Sequence, residues 1–174
     1  LQEMTYPGTD RTIASVTADK VLSIGENIQI RRFVRYAEGV NVPYIHMGGK
    51  VGVLVNLAVE GIADMAKVVE VGKDVAMQIC AMNPTFLDKS DVDQATLDKE
   101  KEILMVQAKE DPKNANKPEA ILEKIAEGKM RKFFEENTLL AQPVVGEKES
   151  IADYIHKADK DATVVAYKRF ALGE

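Results

Sequence analysis

A chain of 174 residues fits one domain, or one domain and a piece of another, and its 45% apolar content is enough for a real core. A net charge of −5 argues against broad binding to nucleic acid or acidic membrane, and 6% aromatics without Trp argues against stacking platforms for single strands. The single cysteine, Cys80, excludes an internal disulfide and fits a reducing cytosol.

Leu1 to Thr17 is weakly patterned, with a turn at Pro7-Gly8, and Leu1 to Arg11 is too mixed and polar for a signal peptide. A start at Leu1 rather than Met reads as a fragment of something longer. Ala18 to Ile24 is a short helical stretch stopped by Gly25, and Ile28 to Ala37 reads as a strand interrupted by Arg32. Gly39 to Pro43 is a connector. A hairpin follows, with arms Tyr44-Ile45 and Val51 to Ala58 around Gly48-Gly49, because glycine takes a positive φ without steric cost.

Gly61 to Met82 is the clearest helix, with Ile62, Met65, Ala66, Val69, Ala76, Ile79 and Cys80 on one stripe and Asn83-Pro84 ending it. Two charge-dense helices, about Asp93 to Lys109 and Lys117 to Glu136, flank a turn-rich tip at Asp111 to Ala115. Asn116 and Glu119 predict a capping box, with Pro118 in the first turn. Each helix has one thin apolar seam, so the pair reads as a protruding antiparallel hairpin. Leu139 to Val145 is extended around Gln142-Pro143, Ser150 caps a short helix, and Ala162 to Ala171 is a last strand that includes Lys168. Ile30 to Gly39 faintly echoes Val164 to Gly173, as a duplicated unit would.

The fold class is therefore α+β: a small antiparallel sheet packed on helices, with a protruding antiparallel helical coiled coil. No run approaches the ~20 apolar residues of a membrane helix. Nothing in the chain looks catalytic. His46 and His156 lack ligand or triad spacing, Gly48-Gly49-Lys50 is not a phosphate loop, and the carboxylates spread along solvated helix faces. No cofactor, metal or catalytic residue is expected. His46 either bonds a carbonyl at its strand end or contacts a partner at an exposed tip.

Several blocks carry a resemblance. His46 to Val55 resembles the histidine-glycine hairpin of bacterial elongation factor Ts. Ile24 to Arg32, Ala76 to Pro84, Ile125 to Phe134, Leu139 to Val145 and Tyr167 to Glu174 resemble further blocks of that family in the same order. Two departures stand out: nothing resembles the family's N-terminal helical domain, and no Thr-Asp-Phe motif occurs.

The resemblance implies a two-copy member. Residues 1–42 would be the tail of a first core copy, and 43–174 a second copy with its coiled coil at 91–136. It implies the docking and dimerisation part of a guanine-nucleotide exchange factor, not an enzyme, that binds elongation factor Tu and promotes GDP release during translation elongation. His46, Met47, Gly48, Gly49, Gln142 and Pro143 would form the docking surface. The compartment would be a bacterial cytoplasm, with an organellar matrix as the alternative. No direct nucleic-acid or membrane partner is expected. The rival function is a self-association module without exchange activity, pairing copies through a sheet edge or the coiled coil. The strand Ile28 to Ala37, left without its hairpin, would need such a pairing.

Overall fold

A computed structural model of the chain describes residues 1–58 and 60–174. Val59, in the stretch that follows the hairpin strand, lies outside the described residues. The chain divides into two compact units, Leu1–Arg35 and Tyr36–Glu174.

In the first unit, the Pro7-Gly8 turn is closed by a bridge between Thr5 and Thr12. Helix α1 (Ile13–Ile24) starts where the Thr12 side chain accepts from the Ser15 N–H. It ends where Gly25, at φ +79°, donates its N–H to the Val21 carbonyl. Arg11 reaches back along α1 to Asp19 at 2.6 Å. The helix is therefore longer at its N-terminus than the apolar pattern from Ala18 predicts.

The expected strand at Ile28 to Ala37 does not form: residues 25–37 are neither helix nor strand. Alternation alone does not make a strand, because a strand needs a neighbour for its backbone groups. Phe33 is largely exposed, and Ile28 and Ile30 are only partly covered.

The second unit is built on a three-stranded antiparallel sheet in the order β1-β2-β3, with β1 Val40–His46, β2 Val51–Ala58 and β3 Thr163–Ala171. The predicted connector from Gly39 thus becomes strand from Val40 onward. Pro43 sits in β1 because that strand lies at the sheet edge, where a missing N–H costs no ladder bond. Between Asn56 and Leu57 the β2–β3 register shifts: Asn56 faces Ala166, Leu57 faces Val164, and Val165 is left between. This bulge reverses the parity of β3. Val164 points into the core, and after the bulge Tyr167 and Arg169 stand opposite the core residues Val55 and Val53. Lys168 is left on the other face, which accounts for a lysine in an apolar strand. Arg169 on the inner side is closed off by Glu174 at 2.6 Å.

Helix α2 (Met65–Met82) covers one face of β1 and β2. Asp64 caps it through the Lys67 N–H, so Gly61 to Asp64 precede the helix rather than begin it. Asn83 ends it in the left-handed region at φ +45°. Val68, Val75, Ala76 and Ile79 pack with Val42, Val55 and Leu57 in the core. Gly72 permits the close approach: a Cβ there would lie 2.8 Å from Leu57 Cδ1 and 2.9 Å from Val42 Cγ2.

Helices α3 (Gln94–Glu110) and α4 (Glu119–Asn137) form an antiparallel hairpin. Its buried seam is thin, as expected: Leu104 and Ala108 from one helix, Leu122 and Ala126 from the other. The capping box at Asn116 and Glu119 is absent. Pro118 itself is the N-cap residue and makes no side-chain cap bond. The tip is organised by Asn114 instead, whose buried amide donates to the Ala108 carbonyl at 2.9 Å.

Helix α5 (Ile151–Ala158), capped by Ser150, packs on α2 through Ile151 and Ile155. The Tyr154 hydroxyl donates to Asp74 at 2.6 Å, and that bond, with burial and nearby carboxylates, pushes its pKa up to about 12. Burial, with Asp91 nearby, likewise pushes Tyr167 up to about 12, and its hydroxyl donates to the Pro84 carbonyl. In both, folding favours the neutral phenol. The stabilisation is full below the unfolded pKa near 10 and is lost as pH rises through the folded values. Absorbance titration of the phenols should show a late phase near pH 12, smaller in Tyr154→Phe and in Tyr167→Phe and smallest in the double variant. A titration complete by pH ~11 would contradict these contacts.

Candidate functional site

The hairpin turn is the most unusual backbone in the second unit. Met47, Gly48 and Gly49 are successive left-handed residues at φ +49°, +64° and +97°. The turn closes by the Lys50 N–H donating to the Met47 carbonyl at 3.4 Å. Two of these positions are glycine, which carries no penalty there, whereas Met47 costs about 1–2 kcal/mol. A non-glycine residue held in this region is a pointer to function rather than to stability. The glycines have open space around them, with nothing within 4 Å of where a Cβ would sit. Their role is conformational, and the turn stays bare enough for another backbone to approach.

His46 ends β1 opposite Val51. Its ring stacks on Tyr44 at 5.9 Å between centroids, and Nδ1 shares a 3.0 Å hydrogen bond with the Tyr44 hydroxyl. The imidazole is thus oriented by a side chain two residues back, and among the described residues no carbonyl bonds it. Met47 projects freely at 63% exposed.

Two residues that the sequence reading missed complete this end of the sheet. Ile45 is exposed on the outer face, its Cδ1 lying over Gly52, and Gly52 pairs in turn with Phe170. Leu172, at 80% the second most exposed large apolar residue among the described residues, is anchored by its N–H to the Lys50 carbonyl at 2.9 Å. Ile45 was legible from parity, since Val42 and Tyr44 take the inner side; Leu172 had no local signal.

No hydrogen bond among the described residues joins Gln142 or Pro143 to the hairpin. Pro143 is exposed, but Gln142 is fully buried. Its amide nitrogen donates to the Glu136 carbonyl at 2.9 Å, and its amide oxygen accepts from Gln78 Nε2 at 3.2 Å.

Among the described residues, no group of three or more His, Cys, Asp or Glu is placed to hold a metal, and no helix is long and apolar enough to cross a membrane. The fold is an α+β body with a helical hairpin, and the exposed turn at Met47–Gly49 offers a surface rather than a cleft. Residues 1–174 match the family described as Elongation factor TS, and the chain belongs to that family. It is 42% identical over 182 residues to elongation factor Ts of Clostridium kluyveri (strain NBRC 12016), covering all of this chain and 58% of that protein. It is 39% identical over 181 residues to elongation factor Ts of Clostridium botulinum (strain Okra / Type B1), covering all of this chain and 57% of that protein. The chain thus spans somewhat over half the length of the curated relatives it matches. The match includes residues 1–23, which the sequence blocks did not reach.

Proposed function

We propose that residues 43–174 are the docking part of a guanine-nucleotide exchange factor that binds elongation factor Tu and promotes GDP release during translation elongation. The observation that carries this reading is the exposed, left-handed Met47-Gly48-Gly49 turn in a chain of the elongation factor Ts family. His46 and Met47 supply contact, and Gly48 and Gly49 let the partner's backbone approach. Pro143 adds a second exposed point, with Gln142 supporting it from beneath. Such a factor performs no covalent chemistry. It binds the nucleotide-free GTPase more tightly than the GDP form, so factor and GDP weaken each other by reciprocity.

Residues 1–42 fit the tail of a first core copy, of which 36–42 fold with the second unit. Helix α1 supports this, since it buries no residue, leaves Leu22 83% exposed and borders an apolar cleft of about 650 Å³ lined by Ala14, Val21, Ile28 and Ile30. The α3–α4 hairpin, within 91–136, is read as a coiled coil that projects toward a partner. The clostridial relatives favour a bacterial cytoplasm over an organellar matrix as the working compartment.

Self-association is the second reading, favoured by the exposed Ile45 and Leu172 beside the outer strands β1 and β3. Elution at the monomer mass at every concentration removes it. The docking reading is tested by Met47→Asp. That variant should not lower the melting temperature, because Met47 is largely exposed and aspartate tolerates the left-handed backbone better, and it should bind nucleotide-free elongation factor Tu at least about tenfold more weakly. Unchanged affinity would exclude the turn from the interface.

A further inference from the structure

The helical arm joins the body through two legs, residues 83–92 before α3 and 138–142 after α4. The legs hold each other by backbone bonds: Thr85 and Phe86 N–H to the Asn137 carbonyl, Leu139 N–H to the Phe86 carbonyl, and Leu140 N–H to the Leu87 carbonyl. These bonds tie leg to leg. They do not by themselves fix the angle at which the pair leaves the sheet and α2.

Side chains from the body reach both legs. On the entering leg, the Tyr167 hydroxyl from β3 donates to the Pro84 carbonyl at 2.6 Å. On the leaving leg, the Glu136 carbonyl belongs to the last turn of α4, where no intrahelical partner is available. Gln142 donates to it, and the Gln142 amide oxygen accepts from Gln78 in the buried middle of α2. Gln78 also donates to the Pro143 carbonyl at 3.1 Å, and its own amide oxygen accepts the Val145 N–H at 3.1 Å. Gln78 and Gln142 are 4% and 0% exposed. The Gln78–Gln142 bond at the centre of this relay is buried and the others are partly buried, so rotation of α4 against α2 breaks at least one directional bond where solvent replaces it poorly.

We propose that Gln142, backed by Gln78, is a positioning residue that fixes the angle at which the helical arm leaves the body. An apolar pair of the same volume would fill the space but would leave the arm free to settle at several angles. The relay gives it one. The consequence for partner binding rests on the docking role proposed above: a partner held at the hairpin and reached by the arm meets both in one geometry. The test reads the arm directly and needs no partner.

Spin labels are placed at Lys113→Cys on the arm tip and Lys160→Cys on the body, in a Cys80→Ala background whose melting temperature is checked first. Pulsed dipolar distances in the full 174-residue chain should give one narrow distribution. Gln142→Met and Gln78→Met should each lose the single sharp peak, and the double variant should be no broader than either, because both substitutions cut the same relay. Gln142→Glu keeps the acceptor for Gln78 but loses the donor to Glu136, so it should also broaden; it carries the test should the methionine variant fail to fold. A folded Gln142→Glu with the wild-type distribution would overturn the proposal and leave the leg-to-leg backbone bonds as sufficient.

Discussion

Gly39→Ala should destabilise the second unit by about 3 kcal/mol or more, read as a fall in the urea midpoint. Two costs coincide at this position. Gly39 lies at φ +71°, where an L side chain is strained, and its Cβ would overlap the Leu57 carbonyl and sit 3.0 Å from Asn56 Nδ2. Neither neighbour can yield cheaply. Leu57 pairs with Val40 in the first rung of the sheet, and the Asn56 amide is held by the Glu38 carbonyl at 2.6 Å and Asn41 Oδ1 at 3.0 Å. Gly48→Ala is the control. Its φ of +64° is similar, but nothing lies within 4 Å of the added Cβ. That variant should lose only the conformational part, about 1 kcal/mol. Equal losses at the two positions would show that strain, and not overlap, governs Gly39.

Leu57→Ala should lower stability by about 3–4 kcal/mol, the upper part of the range for a buried leucine. Leu57 is 0% exposed and reaches across β2 to the notch at Gly72 in α2, where its Cδ1 stands 2.8 Å from the position of an added Cβ. Removing it empties the space against which α2 is seated. Gly72→Ala alone should cost about 1–3 kcal/mol by overpacking the same contact. The double variant should then be less destabilised than the sum, because the new methyl at Gly72 enters the cavity left by Leu57. Additive losses would mean that Val42, whose Cγ2 is 2.9 Å from the same point, bears the overlap alone.

What the sequence showed and what it hid separate along physical lines. The hairpin was legible because two glycines between apolar runs leave few backbone alternatives, and the structure places the turn at Met47–Gly49. Helix α2 was legible from its stripe and from Asn83-Pro84, and the charge-dense hairpin from its thin seams. The strand at Ile28 to Ala37 was read from alternation alone, and alternation does not say whether a partner strand exists. Lys168 looked misplaced because a strand is read at constant parity, whereas the bulge at Val165 reverses it. Gln142 was carried over as a docking residue because the Leu139 to Val145 block resembles the family's segment. Its burial depends on Gln78, 64 positions away in sequence, which no local pattern reveals.

The account stands most directly on the release of a fluorescent GDP analogue from elongation factor Tu, run beside direct binding of this chain to the nucleotide-free GTPase. As the docking part, the chain should bind measurably with little or no acceleration of release. Substantial acceleration by this chain alone would contradict that assignment, and absence of any binding would contradict the docking role itself.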